Sequence, residues 1–147
     1  MRIQAALVAV LLMACGGGEE LDEDVFVVRF EASYGECQGS CYFRLEISSD
    51  GASHVAYAER KGMRESRKAF LLSQFELNGL LKDVTRARAD AWEPVYGCPD
   101  CVDQGSYGLT LAGTEELRQS SVDPKVIPAH LAPLIQRMYR TLRVNLS

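Results

Sequence analysis

The chain has 147 residues, 16 basic against 20 acidic side chains, and a net charge of −4. That acidic balance supplies no electrostatic drive toward nucleic acid and excludes attachment to an anionic membrane by overall charge. The length allows one domain with a core of its own.

The first element is an apolar run from Ala5 to Ala14, preceded by one charge, Arg2. It is too short to cross a bilayer as a helix and fits the apolar region of a secretory signal. Its end, Leu12-Met13-Ala14-Cys15, resembles the lipobox of bacterial lipoproteins. That resemblance implies that residues 1–14 are removed and that Cys15 carries the lipid, a diacylglycerol thioether and an N-acyl chain such as palmitate. Several acyl chains make attachment effectively permanent, at roughly 0.8 kcal/mol per buried methylene. The expected partner is therefore the membrane, held through lipid, with an envelope protein as the further partner class. Gly16 follows the cysteine where an Asp would resemble the inner-membrane retention signal of bacterial lipoproteins, which tilts the location toward the periplasmic face of the outer membrane. Loss of Arg2 with the signal leaves 15 basic against 20 acidic side chains, a net −5.

Residues 16–24, three glycines followed by Glu19, Glu20, Leu21, Asp22, Glu23 and Asp24, read as a solvated tether. Nine residues reach at most roughly 30 Å, so the domain at 25–147 stays near its membrane.

Within that domain, Phe26, Val28, Phe30 and Ala32 alternate with Val27, Arg29 and Glu31, the pattern of a strand with one apolar face. A loop over 34–40 leads to a second alternating strand, Cys41 to Ser49, with Phe43, Leu45 and Ile47 inward. Asp50-Gly51 is a hairpin signal, because glycine accepts positive φ. A third strand returns over Ala52 to Glu59, with Val55 and Tyr57 on one face, and a fourth covers Glu65 to Leu71. Ser73-Gln74-Phe75-Glu76 is a capping box with Leu72 and Leu77 placed as a staple. Leu77, Leu80, Leu81, Val84 and Ala87 then mark one face of a helix that Pro94 forbids from continuing. Glu93 to Gly105 reads as a loop. Strands follow at Ser106 to Ala112 and Glu115 to Val122, then a last helix over Pro128 to Arg143 with Leu131, Leu134, Ile135, Met138 and Leu142 inward. Pro133 fits only in a first helical turn, which moves the start toward Ala132. The order predicts an α+β domain, an antiparallel sheet of about six strands with two amphipathic helices packed on one face.

Four cysteines remain, Cys37, Cys41, Cys98 and Cys101, in two loops. In an exported chain they are expected to pair, and three connectivities are open. Pairing within each hook closes short loops, for about 2 kcal/mol each, whereas pairing Cys37 with Cys98 would give about 4 kcal/mol if the loops meet. A tetrathiolate zinc site on the same four residues is one alternative to disulfides, since zinc sites use paired cysteine hooks. A redox pair at Cys98-Pro99-Asp100-Cys101 is the other. Against it, Glu93, Asp100 and Asp103 crowd the pair with negative charge and a strand rather than a helix follows.

Cys37-Gln38-Gly39-Ser40-Cys41, the Asp50-Gly51 hairpin and Asp103 ahead of the Ser106 strand resemble a bacterial domain family of unknown function. Its pattern is C-x-G-x-C-P, strand, D-G turn, strand, helix, acidic loop, two strands and a final helix, often behind export or lipoprotein signals. The resemblance covers residues 26–142, with Tyr42 standing where the family has Pro. It implies a local Cys37–Cys41 bond and lends no activity.

His54 and His130 lie in no catalytic pattern and read as surface or half-buried side chains. Trp92, Tyr96 and Tyr107 read as the edge of the core beside the second cysteine loop, with a pocket lining as the alternative. Arg137, Arg140 and Arg143 read as the solvated outer face of the last helix, or as a contact for acidic partners or lipid headgroups. No catalytic residue and no cofactor is assigned. The sequence reading is a lipid-anchored envelope lipoprotein, a binding or structural module, with a thiol–disulfide or zinc protein as the alternative.

Overall fold

The computed structural model describes residues 26–101, 103–113 and 116–147. The signal run, Cys15, the tether, and the expected strand start at Glu115 lie outside the described residues.

Each alternating segment becomes a strand: β1 (Phe26–Ser33), β2 (Tyr42–Ser48), β3 (Ala52–Ala58) and β4 (Ser66–Leu71). Helix α1 (Gln74–Arg88) follows. The chain then forms β5 (Val95–Tyr96), β6 (Ser106–Gly113), β7 (Arg118–Val122) and helix α2 (Ala132–Leu146). Among the described residues one sheet of seven strands results, in the order β4-β3-β2-β1-β6-β7-β5. All neighbours are antiparallel except β5 and β7. β5 corrects the loop expected over 93–105 and takes the count above six. Two residues carry no readable period; the strand exists because Ser121 donates to the Pro94 carbonyl and Asp123 to the Tyr96 carbonyl.

Strand partners opposite one another point to the same side of the sheet. The register therefore gathers Phe26, Val28, Phe30, Leu45, Ile47, Val55, Leu109 and Leu111 into one apolar layer. That layer shares a single core with Leu77, Leu80, Val84 and Ala87 of α1 and Leu134, Ile135, Met138 and Leu142 of α2. Each fully buried aliphatic side chain contributes roughly 1.5–3 kcal/mol. Two expected core positions lie outside it. Leu81, one residue past Leu80, turns about 100° away and is exposed. Tyr57, opposite Ser66 of the edge strand β4, is exposed as well.

The helix starts follow from their first residues. The Ser73 hydroxyl accepts from the Glu76 amide and the Glu76 carboxylate accepts from the Ser73 amide, the reciprocal capping box. Leu72 and Leu77 are both buried, as a staple requires. α2 has no side-chain cap; Pro133 sits in its first turn, which places the start at Ala132 rather than Pro128.

The sheet has two ends of different character. At the entry end the chain comes into β1 at Phe26. There the β2–β3 turn closes, with Gly51 at φ +87° and the Ser49 amide bonded to the Phe26 carbonyl. α1 lies along this same end. Its approach is fixed by the Leu72 amide on the Gly51 carbonyl, and its exit by Arg88, whose guanidinium lies 5.9 Å from the Phe26 ring centre. Arg118, at the start of β7, donates to the Arg88 and Asp90 carbonyls. The cysteine loops occupy the opposite end.

Candidate functional site

Ser33, the last residue of β1, is opposite both Tyr42 and Ser106. The loop leaving β1 and the loop entering β6 therefore lie side by side. Tyr34 donates its amide to the Cys41 carbonyl, and a side-chain carbon on Gly35 would come within 3.4 Å of Asp103. Gly105, at φ +79°, packs so tightly on the Ser33 carbonyl that no side chain fits there. Although the loops meet, the cysteines pair within each: Cys37 stands at disulfide distance from Cys41 and Cys98 from Cys101, with Cα separations of 5.8 and 5.4 Å. Loop contact is thus present, but the sulfur atoms face their own hook rather than the other.

Asp123, a residue the sequence reading did not single out, anchors the second hook. Its carboxylate accepts from the Lys125 amide at 2.8 Å and from the Cys98 amide at 3.3 Å. The Lys125 amide, then the Cys98 amide, the Gln104 side chain and the Lys125 charge, hold its pKa below the ordinary value against some desolvation. Asp100 takes positive φ in the same loop, a conformation that Asp tolerates through local hydrogen bonding. A carboxylate bonded to the Cys98 amide disfavours a thiolate there.

On the sheet side away from the core, a polar cleft of about 420 Å³ opens beside these loops. Glu31 lines it, set by the register between Arg44 of β2 and Gly108 of β6. A side chain at 108 would begin 3.1 Å from the Glu31 carboxylate, so the glycine leaves room for it. Tyr42 donates its hydroxyl to Glu31 at 2.6 Å, and the Lys61 ammonium donates at 3.2 Å while lying 5.8 Å from the Tyr42 ring centre. Burial raises the Glu31 pKa, but these two donors and the nearby cations outweigh it and hold the acid below its ordinary value. Burial and the bond to Glu31 push the Tyr42 hydroxyl well above the ordinary phenol value. Asp100, Ser106, Gln119 and Ser121 complete the rim.

The same sheet side continues as a charged lattice. Arg29 pairs with Glu46 at 2.6 Å, Arg44 with Glu65 at 2.8 Å and Arg67 with Glu65 at 3.0 Å. His54, exposed, lines a smaller cleft with Arg44, Glu46 and Arg67. His130 is half-buried, its ring 6.0 Å from that of Tyr96.

Below the first hook, on the core side, Tyr34 packs against the core, and burial, followed by the neighbouring Tyr139 and Tyr107 hydroxyls, raises its pKa. Trp92, Tyr96 and Tyr107 all pack against the core from its edge. Trp92 donates to the Ala87 carbonyl at the end of α1. Arg137 corrects the reading of an arginine face on α2: it turns toward α1, lies over Gly79 and pairs with Asp83 at 2.5 Å. Arg143 lies 6.0 Å from the Tyr139 ring centre, and Arg140 is exposed.

Among the described residues, no three His, Cys, Asp or Glu side chains group as a metal site needs, and no helix is long and apolar enough to cross a membrane. No protein-family model matches the chain, and no curated protein matches it.

Proposed function

We propose that this protein is a lipid-anchored lipoprotein of the cell envelope, on the periplasmic face of the outer membrane, acting as a binding module. The observation that carries the reading is the run Leu12-Met13-Ala14-Cys15 behind a short apolar stretch. The cysteine pairing supports an oxidising compartment. The shared core of sheet and helices supports an architecture with both helices on one face, which leaves the polar side open. The order of elements and the C-x-G-x-C run support kinship with the lipoprotein-associated domain family.

The surface offered for binding is the cleft around Glu31. Binding rather than catalysis is favoured there because the acid is already engaged by Tyr42 and Lys61 and held ionised, with neither a proton to give nor an unpaired base to offer. The thiol–disulfide alternative is disfavoured by the Asp123 carboxylate beside Cys98.

The test is metabolic labelling with palmitate, followed by mass analysis of the N-terminal peptide. Label at Cys15, lost in Cys15→Ala, is the expected result. An unlabelled chain that keeps its first 14 residues, or loses them without gaining acyl mass, refutes the anchor.

A further inference from the structure

The tether joins the domain at the end of the sheet along which α1 lies, and α1 turns an unusual face outward there. Its exposed stripe is Phe75, Asn78, Lys82 and Arg86, spaced as neighbours on one helix side. Phe75 is 86% exposed, and Leu71 just before the helix is 73% exposed. Leu81 borders the stripe, and Leu117 is exposed on the β6–β7 connection at the same end. The two carboxylates of α1 are turned to other tasks, Glu76 capping Ser73 and Asp83 pairing with Arg137. In a chain with 16 basic against 20 acidic side chains, this helix face is apolar and cationic without an acid of its own. Among the described residues, the other carboxylates of this end, Asp50, Asp90 and Glu116, lie outside the helix, and the tether adds Glu19, Glu20, Asp22, Glu23 and Asp24 in sequence before β1.

We infer that the outward face of α1 docks on the anionic phospholipid surface to which the protein is tethered. Phe75, Leu71, Leu81 and Leu117 would enter the interface, with Lys82 and Arg86 at headgroup phosphates. Two observations select a bilayer as the occupant. One is the short chain between Cys15 and Phe26, which brings this end within roughly 30 Å of the anchor. The other is the pairing of exposed apolar and cationic side chains, the chemistry of an interfacial helix. Docking in this pose points the cleft and both cysteine hooks away from the membrane, toward a partner. The inference rests on the lipoprotein reading.

The four lysines, Lys61, Lys68, Lys82 and Lys125, make the test direct. The acylated full chain is floated on vesicles of phosphatidylethanolamine with phosphatidylglycerol, then acetylated with a water-soluble amine reagent. Lys82 should react about fivefold more slowly on vesicles than in detergent, while Lys125 at the cysteine end is unchanged. Phe75→Asp, at a side chain too exposed to hold the fold, should restore Lys82 reactivity while the chain still floats. Equal Lys82 reactivity on vesicles and in detergent, in a chain shown to be acylated and floating, overturns the docking and leaves the anchor standing. A chain without acyl mass overturns both. Protection that vanishes when Glu19→Gln, Glu20→Gln, Asp22→Asn, Glu23→Gln and Asp24→Asn are made together would show that the acidic tether covers the face instead, and overturns the bilayer contact.

Discussion

The two ends of the sheet are secured in different ways. At the entry end, α1 is fitted by buried leucines, a capping box and an arginine over Phe26, so order there comes from packing and helix geometry. At the cysteine end the chain runs through two loops, where order comes from two cysteine pairs, the Asp123 carboxylate and a glycine pressed on a carbonyl. The difference teaches why the cleft sits where it does. A packed end has its polar groups consumed by helix and sheet bonds, whereas a stapled loop end can leave Asp100, Ser106 and Ser121 facing water while staying in place.

The comparison breaks most visibly in the core. Leu80 of α1 is fully buried, and Leu80→Ala should cost about 2–5 kcal/mol in urea unfolding. Leu81→Ala, one residue on but exposed, should change stability by under about 0.5 kcal/mol. Equal effects would mean that α1 is not seated as described. Replacing a cysteine pair should cost less than the core leucine. Cys37→Ser with Cys41→Ser, or Cys98→Ser with Cys101→Ser, should each remove about 2 kcal/mol by the loop-entropy estimate. A far larger loss from either pair would show that the cysteine end, not α1, holds the domain together.

These contrasts also mark what the sequence reveals. Phe26, Val28 and Phe30 are legible because alternation is local, and the Ser73–Glu76 box because a cap is written within four residues. Leu81 misleads because a single leucine at the border of a helical stripe carries no sign of which way it turns. β5, Asp123 and the Glu31–Tyr42–Lys61 group are illegible because each depends on partners far along the chain. Glu31 bonds a residue 30 positions away, and Asp123 one 25 positions away. Gly79 shows the same limit: it looks like a helix defect until Arg137 is seen lying across it. The two cysteine spacings leave connectivity open, and only the placement of the sulfur atoms distinguishes local from crossed pairing.

The cap offers a smaller, pH-resolved comparison. Ser73→Ala should cost about 1 kcal/mol, below either cysteine pair. The hydrogen bonds from the Ser73 hydroxyl and amide hold the Glu76 pKa below its ordinary 4.5. A depressed carboxylate pKa contributes stability that is full above the ordinary value and is lost as pH falls through the folded one. The difference between wild type and Ser73→Ala should therefore shrink below pH 4.5. A constant difference down to full acid unfolding would show that the Glu76 half of the box contributes nothing.

The smallest effect is local to the cysteine end. Asp123 offers one carboxylate oxygen to Lys125 and the other to Cys98. Asp123→Asn keeps one acceptor and turns the other into a donor, so one amide loses its partner. The Cys98 bond is the longer of the two, which makes it the one to break. Global unfolding should shift little, while the Cys98 amide should exchange its hydrogen faster and Lys125 should not. Because the folded pKa of Asp123 is lowered, wild type should hold both bonds above the ordinary 3.8 and release them only as pH falls through the lower value. If Asn at this position leaves Cys98 exchange unchanged near neutral pH, the cysteine pair alone positions the hook. Asp123 would then matter to the turn at Lys125 rather than to the rim of the cleft.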